Sequence, residues 1–206
     1  MSTQRRRVLE DTKIHDGVYI EGLDGKAYTV DNWQGGSAAN SVIVASGDVK
    51  FRIALTESPS PLAVYNNFDT IYDEYMTWHT SSATALLDYD GAGNTAKMLI
   101  VDDSYYHAAG YCDTYIFPDG KTKGYLPALG QLYIAHQNKA AVDAALSKCG
   151  GTAMNNTEPF NYWSSTYKED DNDTFWILTW MREYEYFFGY ASLTYEYYVR
   201  PFADLT

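Results

Sequence analysis

The chain has 206 residues, 46% hydrophobic and 20% charged, which is typical of a globular protein large enough to bury a core. Its formal net charge of −12 repels phosphate backbones, so nucleic acid is not an expected partner, and it repels anionic membrane surfaces in the same way. No stretch approaches the ~18 apolar residues of a membrane span, so membrane insertion is not expected. The unusual number is 20 tyrosines, because tyrosine combines a large contact area with a polar tip and suits binding surfaces.

Residues 1–14 are predicted to form a mobile polar arm. Three arginines at 5–7 resemble the start of a signal peptide, but charged residues follow where an apolar segment would be needed. The sequence therefore predicts no signal peptide. We expect the protein to be made in the cytoplasm and then displayed on a phage virion or a cell surface.

Residues 15–61 are predicted to form a small β subdomain of about four strands. The Asp-Gly pair at 24–25 indicates a tight hairpin. Further β runs lie at 41–45 and 49–55. Two prolines within 59–61 end the subdomain, because proline interrupts both strand ladders and helices.

The remaining residues, 62–206, are assigned to one ligand-binding domain. Its first part is weakly patterned, with one helix predicted over 76–87 and a short helix, capped by Asn94 or Thr95, that ends near residue 102.

The clearest helical pattern follows Pro127. Residues suited to a buried face recur at helical spacing over 129–136 and again over 141–146. Asn138 is predicted to restart the helix, and the glycines at 150–151 to end it.

The sequence predicts no metal site and no cofactor. Cys112 and Cys149 allow at most one disulfide, fit no zinc pattern, and are interpreted as small packed residues. Asp88 and Asp90 resemble the start of a calcium loop but lack the further oxygen ligands, so a turn is favoured. The acidic run 169–173 could bind calcium or contact a basic ligand, and a solvated loop is the favoured interpretation.

The segment 160–202 is rich in large aromatic residues. It holds 3 of the 5 tryptophans and 8 of the 20 tyrosines. A core cannot absorb that density in so short a segment, so some rings are expected to face solvent and mark a binding site. If 184–190 is a strand, its alternate aromatic residues share one face, which either binds a ligand or packs on the helices.

An ordered series of blocks carries a resemblance to a known family. The blocks are LPALGQL at 126–132, an alanine-rich helix that ends at 150–151, YWSST at 162–166, and YVRPF at 198–202. Over about 85–204 the chain resembles the C-type-lectin-fold variable proteins of diversity-generating retroelements, which are bacterial and phage ligand-binding proteins. The resemblance implies an α+β, C-type lectin-like fold, an antiparallel sheet with two helices, preceded here by the small β-rich subdomain.

In such proteins a reverse transcriptase changes bases copied from template adenines, within a variable region that would span about 163–200 here. Codons of the AAC or AAT kind cannot change in this way to Trp, Glu or Met, so Trp163, Trp176 and Trp180 are expected to be fixed. The ligand-binding positions that the resemblance nominates are Tyr167, Asp170, Asp171, Asn172, Asp173, Thr179, Tyr184, Tyr186, Phe188, Tyr190, Ser192, Thr194, Tyr195 and Tyr197.

The expected function is therefore non-enzymatic binding of a protein or glycan receptor on a cell surface, as in a phage or prophage tail adhesin. Two alternatives stay open: an adhesin of fixed specificity, and a structural tail or pilus subunit whose aromatic rings pack between copies in a homo-oligomer. Lectins of this fold that bind sugar through calcium carry Glu-Pro-Asn or Gln-Pro-Asp together with Trp-Asn-Asp. Here Glu158 and Pro159 are followed by Phe160, and the sequence contains no Trp-Asn-Asp, so calcium-dependent sugar binding is not expected.

The chain is not expected to be an enzyme. It contains no G-x-S-x-G motif, phosphate loop or dinucleotide fingerprint, so no catalytic residue is predicted. The same broad fold includes oxidases that modify sulfatases through C-terminal cysteines, but both cysteines here lie outside the aromatic segment. Arg200, in the closing block, is expected to form a structural ion pair or to contact backbone carbonyls.

Overall fold

The fold is described from a computed structural model, for residues 14–64, 76–101, 107–154, 160–168, 174–181 and 186–205. Almost all of the predicted arm, the acidic run 169–173 and Tyr184 lie outside these ranges. In chain order the elements are β1 (Gly17–Gly22), β2 (Ala27–Thr29), β3 (Ala39–Ser46), β4 (Val49–Ile53), β5 (Leu62–Ala63), β6 (Trp78–His79), α1 (Ser82–Ala85), α2 (Gly91–Val101), α3 (His107–Thr114), α4 (Leu129–Gln137), α5 (Lys139–Lys148), β7 (Phe160–Lys168), β8 (Thr174–Met181), β9 (Tyr186–Ser192), β10 (Glu196–Tyr197) and β11 (Phe202–Asp204).

The architecture is α+β with largely antiparallel sheets, as the sequence predicts. The first sheet has the order β11-β4-β3-β1-β2, and the second has the order β6-β7-β8-β9. In the second sheet only the short β6 runs parallel to its neighbour. The expectation of two helices is too small, because the described residues contain five.

The four strands of the predicted β subdomain are present. The hairpin between β1 and β2 turns at Gly25, whose φ of 74° is the left-handed conformation that glycine adopts without strain. However, β11 at the far end of the chain completes this sheet by pairing with β4, through Phe202 opposite Ile53. The first sheet is thus shared between the two predicted domains, and one core cluster joins Val42 and Val44 to residues of α4 and α5.

A buried ion pair crosses the first sheet. The Glu21 carboxylate accepts bonds of 2.9 Å from both Nε and a terminal nitrogen of Arg52. It also accepts hydrogen bonds from Asn40 and Ser41. Burial alone would raise the pKa of Glu21, but these hydrogen bonds outweigh it and hold the pKa below its ordinary value.

Helices α4 and α5 confirm the helical pattern after Pro127. Asn138 separates them, and Gly150, at φ 80°, follows the end of α5. The helix predicted over 76–87 is wrong: Trp78 and His79 form β6 on β7, and only the four-residue α1 follows.

The cap predicted at Asn94 or Thr95 is also wrong. Helix α2 already begins at Gly91, and the Asp90 carboxylate accepts a 2.9 Å bond from the Gly93 amide. Asp90 therefore supplies the side-chain cap that an orphan amide of the first turn requires.

The second sheet is covered on both faces. On one face, Trp163 of β7 and Phe175 and Ile177 of β8 pack with Met98 of α2 and Cys112 of α3. On the other face, Trp176 packs with residues of α1 and α4. Helices therefore lie against both faces of the described part of this sheet.

Arg200 connects the closing block to two other segments of the chain. Arg200 is fully buried, and its guanidinium donates to the carbonyl oxygens of Ala54 and Ala153 and pairs with Glu57 at 3.0 Å. Both predicted roles, the ion pair and the carbonyl contacts, are confirmed. Cys112 is buried and Cys149 half-buried, and both are free thiols. Burial raises the pKa of each.

Candidate binding surface

The YWSST block forms core rather than surface. All five residues, 162–166, are buried. The Trp163 indole donates to the Leu62 carbonyl oxygen at 2.8 Å, and the Thr166 hydroxyl bonds the amide of Leu129 and the carboxylate of Asp88, both at 2.8 Å. The block therefore fastens β7 to the helices and holds the sheet in place beneath any surface at its rim.

Asp88 is a structural hub and not a calcium ligand in the described arrangement. It is buried, and its Oδ2 accepts 2.8 Å bonds from Asn94 and Thr166 while Oδ1 accepts from the Asp90 amide. The predicted turn at this fragment is only partly right: the Asp90 amide bonds back to the Asp88 carboxylate, but the chain is helix α2 from Gly91 onward. Across the residues that the structure describes, no group of three or more His, Cys, Asp or Glu side chains could hold a metal ion.

The two most exposed of the described aromatic residues, Tyr190 and Tyr195, lie at one end of the second sheet. In the register, His79, Lys168, Thr174 and Ser192 form a row across the four strands. This row marks the end where β7 stops and β8 starts.

Tyr190, two residues before Ser192, is 58% exposed. Its ring meets Trp176 edge to face at 5.9 Å, and the Lys168 ammonium lies 4.3 Å from its centroid. The Tyr190 ring thus contacts a buried tryptophan and a lysine ammonium.

A tight turn at the same end carries a second exposed tyrosine. The Tyr195 amide donates to the Ser192 carbonyl oxygen at 3.1 Å, and Leu193 between them is buried in the core. Tyr195 is 58% exposed and stacks on Tyr197 at 6.1 Å, and Tyr197 in turn packs on Trp163 at 4.8 Å. Burial, followed by the nearness of Tyr195, raises the pKa of Tyr197.

We define the sheet-end rim as the exposed or half-exposed described side chains of β7, β9 and β10, and of the turn between β9 and β10, at this end. It consists of Lys168, Tyr190, Ser192, Thr194, Tyr195, Glu196 and Tyr197. Trp176 supports Tyr190 on one face of the sheet and Trp163 supports Tyr197 on the other, so the rim presents exposed aromatic area on rigid rings at this end of the sheet. That combination suits a binding surface.

The structure divides the nominated positions. Tyr190, Ser192, Thr194, Tyr195 and Tyr197 lie on the rim. Asp170, Asp171, Asn172, Asp173 and Tyr184 lie outside the described residues, and Tyr186 lies in β9 without a described side chain.

Three further positions are not on the open surface. Tyr167 is 1% exposed and packs against Phe175 and Trp78, and Thr179 is 6% exposed in β8, so the expectation of display is wrong for both. Phe188 is half-buried and its ring meets Tyr133 at 6.4 Å. Helix α4 covers this part of the sheet, which is why the alternating stripe of β9 is packed at Phe188 and exposed at Tyr190.

Sequence reasoning missed two rim residues, Lys168 and Glu196. Neither belongs to the set reachable from AAC or AAT codons. Their position in the sequence could have indicated them, because Lys168 directly precedes the acidic run 169–173 and Glu196 lies between two nominated tyrosines.

An open groove elsewhere is a weaker candidate. It encloses about 420 Å³ between α2 and β11, and its polar walls include Arg52, Lys123 and Asp204. These groups already pair within the protein: Lys123 with Asp113 at 3.2 Å, and Asp204 with the Tyr125 hydroxyl at 3.0 Å.

The chain matches no protein-family model, and no curated protein matches it. A solved structure with a similar fold is that of a fimbrial protein from Bacteroides ovatus ATCC 8483, at 16% sequence identity and a TM-score of 0.57. The match covers 92% of this chain and 48% of that protein, so this chain spans about half its length. At this identity the likeness concerns the fold alone. None of the described helices combines the length and apolar character needed to cross a membrane.

Proposed function

We propose that this chain is a non-enzymatic unit of a fimbria-type surface protein that binds a receptor through the sheet-end rim. The observation that carries the proposal is the pair Tyr190 and Tyr195, both more than half exposed while most other described aromatic rings are packed. Each ring that buries ~200 Å² on binding contributes a gross few kcal/mol at ~25 cal/mol/Å². Two rings with polar neighbours support modest affinity, which repeated display on a fibre would increase.

The fold likeness to a fimbrial protein supports display on a fibre. The lectin-like assignment rests on the ordered sequence blocks, whose YWSST and VRP members here form core and chain closure. The same surface would serve equally on a phage or prophage tail, where multivalent attachment has the same physical basis.

Selection of a random peptide display library on the immobilised full chain tests the binding proposal. Enriched peptides are expected to bind the native chain and to lose at least tenfold in affinity on a Tyr190→Ala, Tyr195→Ala variant whose thermal unfolding is unchanged. Leu23→Ala is the matched control, because Leu23 is also an exposed large apolar residue but lies in the β1–β2 turn. Peptides that bind the native chain and the double variant equally would place the binding surface elsewhere.

We further propose that the rim is diversified by a retroelement. Its positions Tyr190, Ser192, Thr194, Tyr195 and Tyr197 are all reachable from AAC or AAT codons, whereas the supporting Trp163 and Trp176 are not. Such a division would vary the contact residues and preserve the tryptophans that support them.

Sequencing of the gene's neighbourhood tests this proposal: we expect a near-copy of codons 163–200, altered mainly at adenines, beside a reverse transcriptase. Without that copy, fixed specificity is the remaining form of the proposal.

A second candidate is that the rim packs between copies of the chain. The exposed rings sit at the end of β9, which is an edge strand of the second sheet, and the fold likeness is to a fimbrial protein. Sedimentation of the full chain over a wide concentration range distinguishes the two. Self-association that the Tyr190→Ser, Tyr195→Ser variant abolishes favours packing, and a monomer at all concentrations favours receptor binding.

A further inference from the structure

The part of the chain that contains the rim carries a concentrated negative charge. Between residues 167 and 174, together with Glu196, there are five acidic residues and one basic residue, a net charge of −4 out of −12 for the whole chain. The five residues that join Lys168 to Thr174 include four of these acids, and Glu196 is exposed on the rim itself. A field of this sign attracts cationic partners and repels anionic ones over about a Debye length, ~8–10 Å in physiological salt.

The exposed rings offer faces that suit cations. The Lys168 ammonium lies 4.3 Å from the centroid of Tyr190, within the ~6 Å range of a cation–π contact. The protein therefore already holds one cation on a rim ring. Tyr195 stacks on Tyr197 by one face, so its exposed area lies mainly on the opposite face and the edges. With 58% of its surface exposed, Tyr195 can receive an ammonium or guanidinium from a partner.

We infer that the receptor of the rim is a cationic protein segment, rich in arginine or lysine. Its guanidinium or ammonium group stacks on Tyr195 and pairs with Glu196, because Lys168 already occupies the ring of Tyr190. This inference rests on the proposed binding function and adds the chemistry of the partner. Arginine suits the site better than lysine, because its planar group stacks on aromatic faces and is more weakly hydrated.

Two short peptides of equal length probe the inference by calorimetric titration against the full chain. One alternates arginine with glycine, and the other has glutamate in place of arginine. We expect binding of the arginine peptide only, with an affinity that falls several-fold when sodium chloride rises from about 50 to about 300 mM.

Four variants separate ring contacts from the general field. Tyr195→Ala is expected to weaken binding of the arginine peptide about threefold, the size of an exposed cation–π contact. Tyr190→Ala should weaken it less, because Lys168 already occupies that ring. Glu196→Gln and Asp48→Asn remove the same charge, but Asp48 lies in the exposed turn between β3 and β4. We expect Glu196→Gln to weaken binding clearly more than Asp48→Asn.

The outcomes divide as follows. If the ring variants leave affinity unchanged and the two charge variants weaken it equally, only the net charge acts and the inference is overturned. If the arginine peptide does not bind while library peptides free of basic residues bind through Tyr190 and Tyr195, the partner is uncharged. The inference then fails and the proposed function stands. If no library peptide depends on Tyr190 and Tyr195 either, both fail together.

Discussion

At the residue scale, the fully buried Arg200 shows how one side chain can fix the end of the chain. Its guanidinium reaches backbone carbonyls of the segment after β4 and of the loop after α5, and it neutralises Glu57. Glu57 also accepts a hydrogen bond from the Tyr162 hydroxyl of the YWSST block. The YWSST and YVRPF blocks therefore both bond the carboxylate of Glu57.

We predict that Arg200→Met lowers the free energy of unfolding by about 3–5 kcal/mol, because removing one partner leaves the other charge uncompensated. Urea denaturation of the full chain measures it. Lys123→Met is the matched control, since it breaks the Lys123–Asp113 pair, whose side chains are 60% and 38% exposed. It should cost less than about 1 kcal/mol. Equal losses in the two variants would contradict a structural role for the buried pair.

The buried carboxylate of Glu21 leads to a prediction about how stability depends on pH. Its folded-state pKa lies below the ordinary 4.5 because hydrogen bonds from Arg52, Ser41 and Asn40 outweigh the effect of burial. A depressed pKa contributes stability that is present above the unfolded value and is lost as pH falls through the folded value. We therefore expect unfolding free energy to fall with acidification below about pH 4.5, and Glu21→Gln to flatten that part of the curve. An unchanged slope in Glu21→Gln would assign the acid sensitivity to other carboxyls.

At the element scale, local patterns predicted some helices and not others. Helix α5 was predictable because its buried residues Val142, Ala145 and Leu146 follow the helical period and Gly150 follows its end, whereas α4 is buried around most of its circumference. The start of helix α2 was predicted too late, because Gly91 and Gly93 suggest a turn in the sequence. In the fold, Gly91 is instead the small residue that packing requires at the start of the helix. A Cβ at Gly91 would lie 2.8 Å from the Tyr125 ring and 2.9 Å from the Ala128 amide nitrogen.

The predicted helix over 76–87 failed for a different reason. Trp78 and His79 pair with β7, a strand remote in the chain, and such tertiary pairing overrides local propensity. The same limit applies to the rim: alternation placed Phe188 and Tyr190 on one face of β9. Only the position of α4 decides which ring is covered.

The cap of α2 gives a prediction at this scale. Asp90→Ala removes the acceptor of the Gly93 amide, and we expect the free energy of unfolding to fall by about 1 kcal/mol. Chemical denaturation, with circular dichroism as the signal, measures it. Asp48→Ala removes the same charge from an exposed turn and should change stability by less than about 0.5 kcal/mol. A comparable loss in both would mean that net charge, and not the cap, is responsible.

At the scale of the whole molecule, the closing segment 198–204 joins the two sheets, because the Tyr198 backbone bonds Asn161 and Trp163 of β7 while β11 pairs with β4. Phe202 of β11 pairs with Ile53 of β4, and its backbone also exchanges hydrogen bonds of 2.8 and 3.0 Å with Tyr125. Its ring stacks on Phe51 at 4.9 Å. No local pattern predicts contacts across such a sequence separation, which is why residues 15–61 alone suggested a separate subdomain. The arrangement instead implies that both sheets unfold together.

We predict that Phe202→Ala destabilises both sheets to the same extent. Truncating this fully buried ring should cost about 3–5 kcal/mol, because it leaves a cavity between β4 and the Tyr125 segment. Hydrogen exchange with mass spectrometry reports on each sheet through peptides from β3 and β8. In a single cooperative unit, the slowest amides of both peptides exchange through global opening, so both should accelerate by a similar factor, on the order of a hundredfold or more. Leu23→Ala, an exposed truncation in the first sheet's hairpin, should leave both unchanged. Acceleration confined to β3 would show instead that residues 15–61 and the second sheet unfold as separate units.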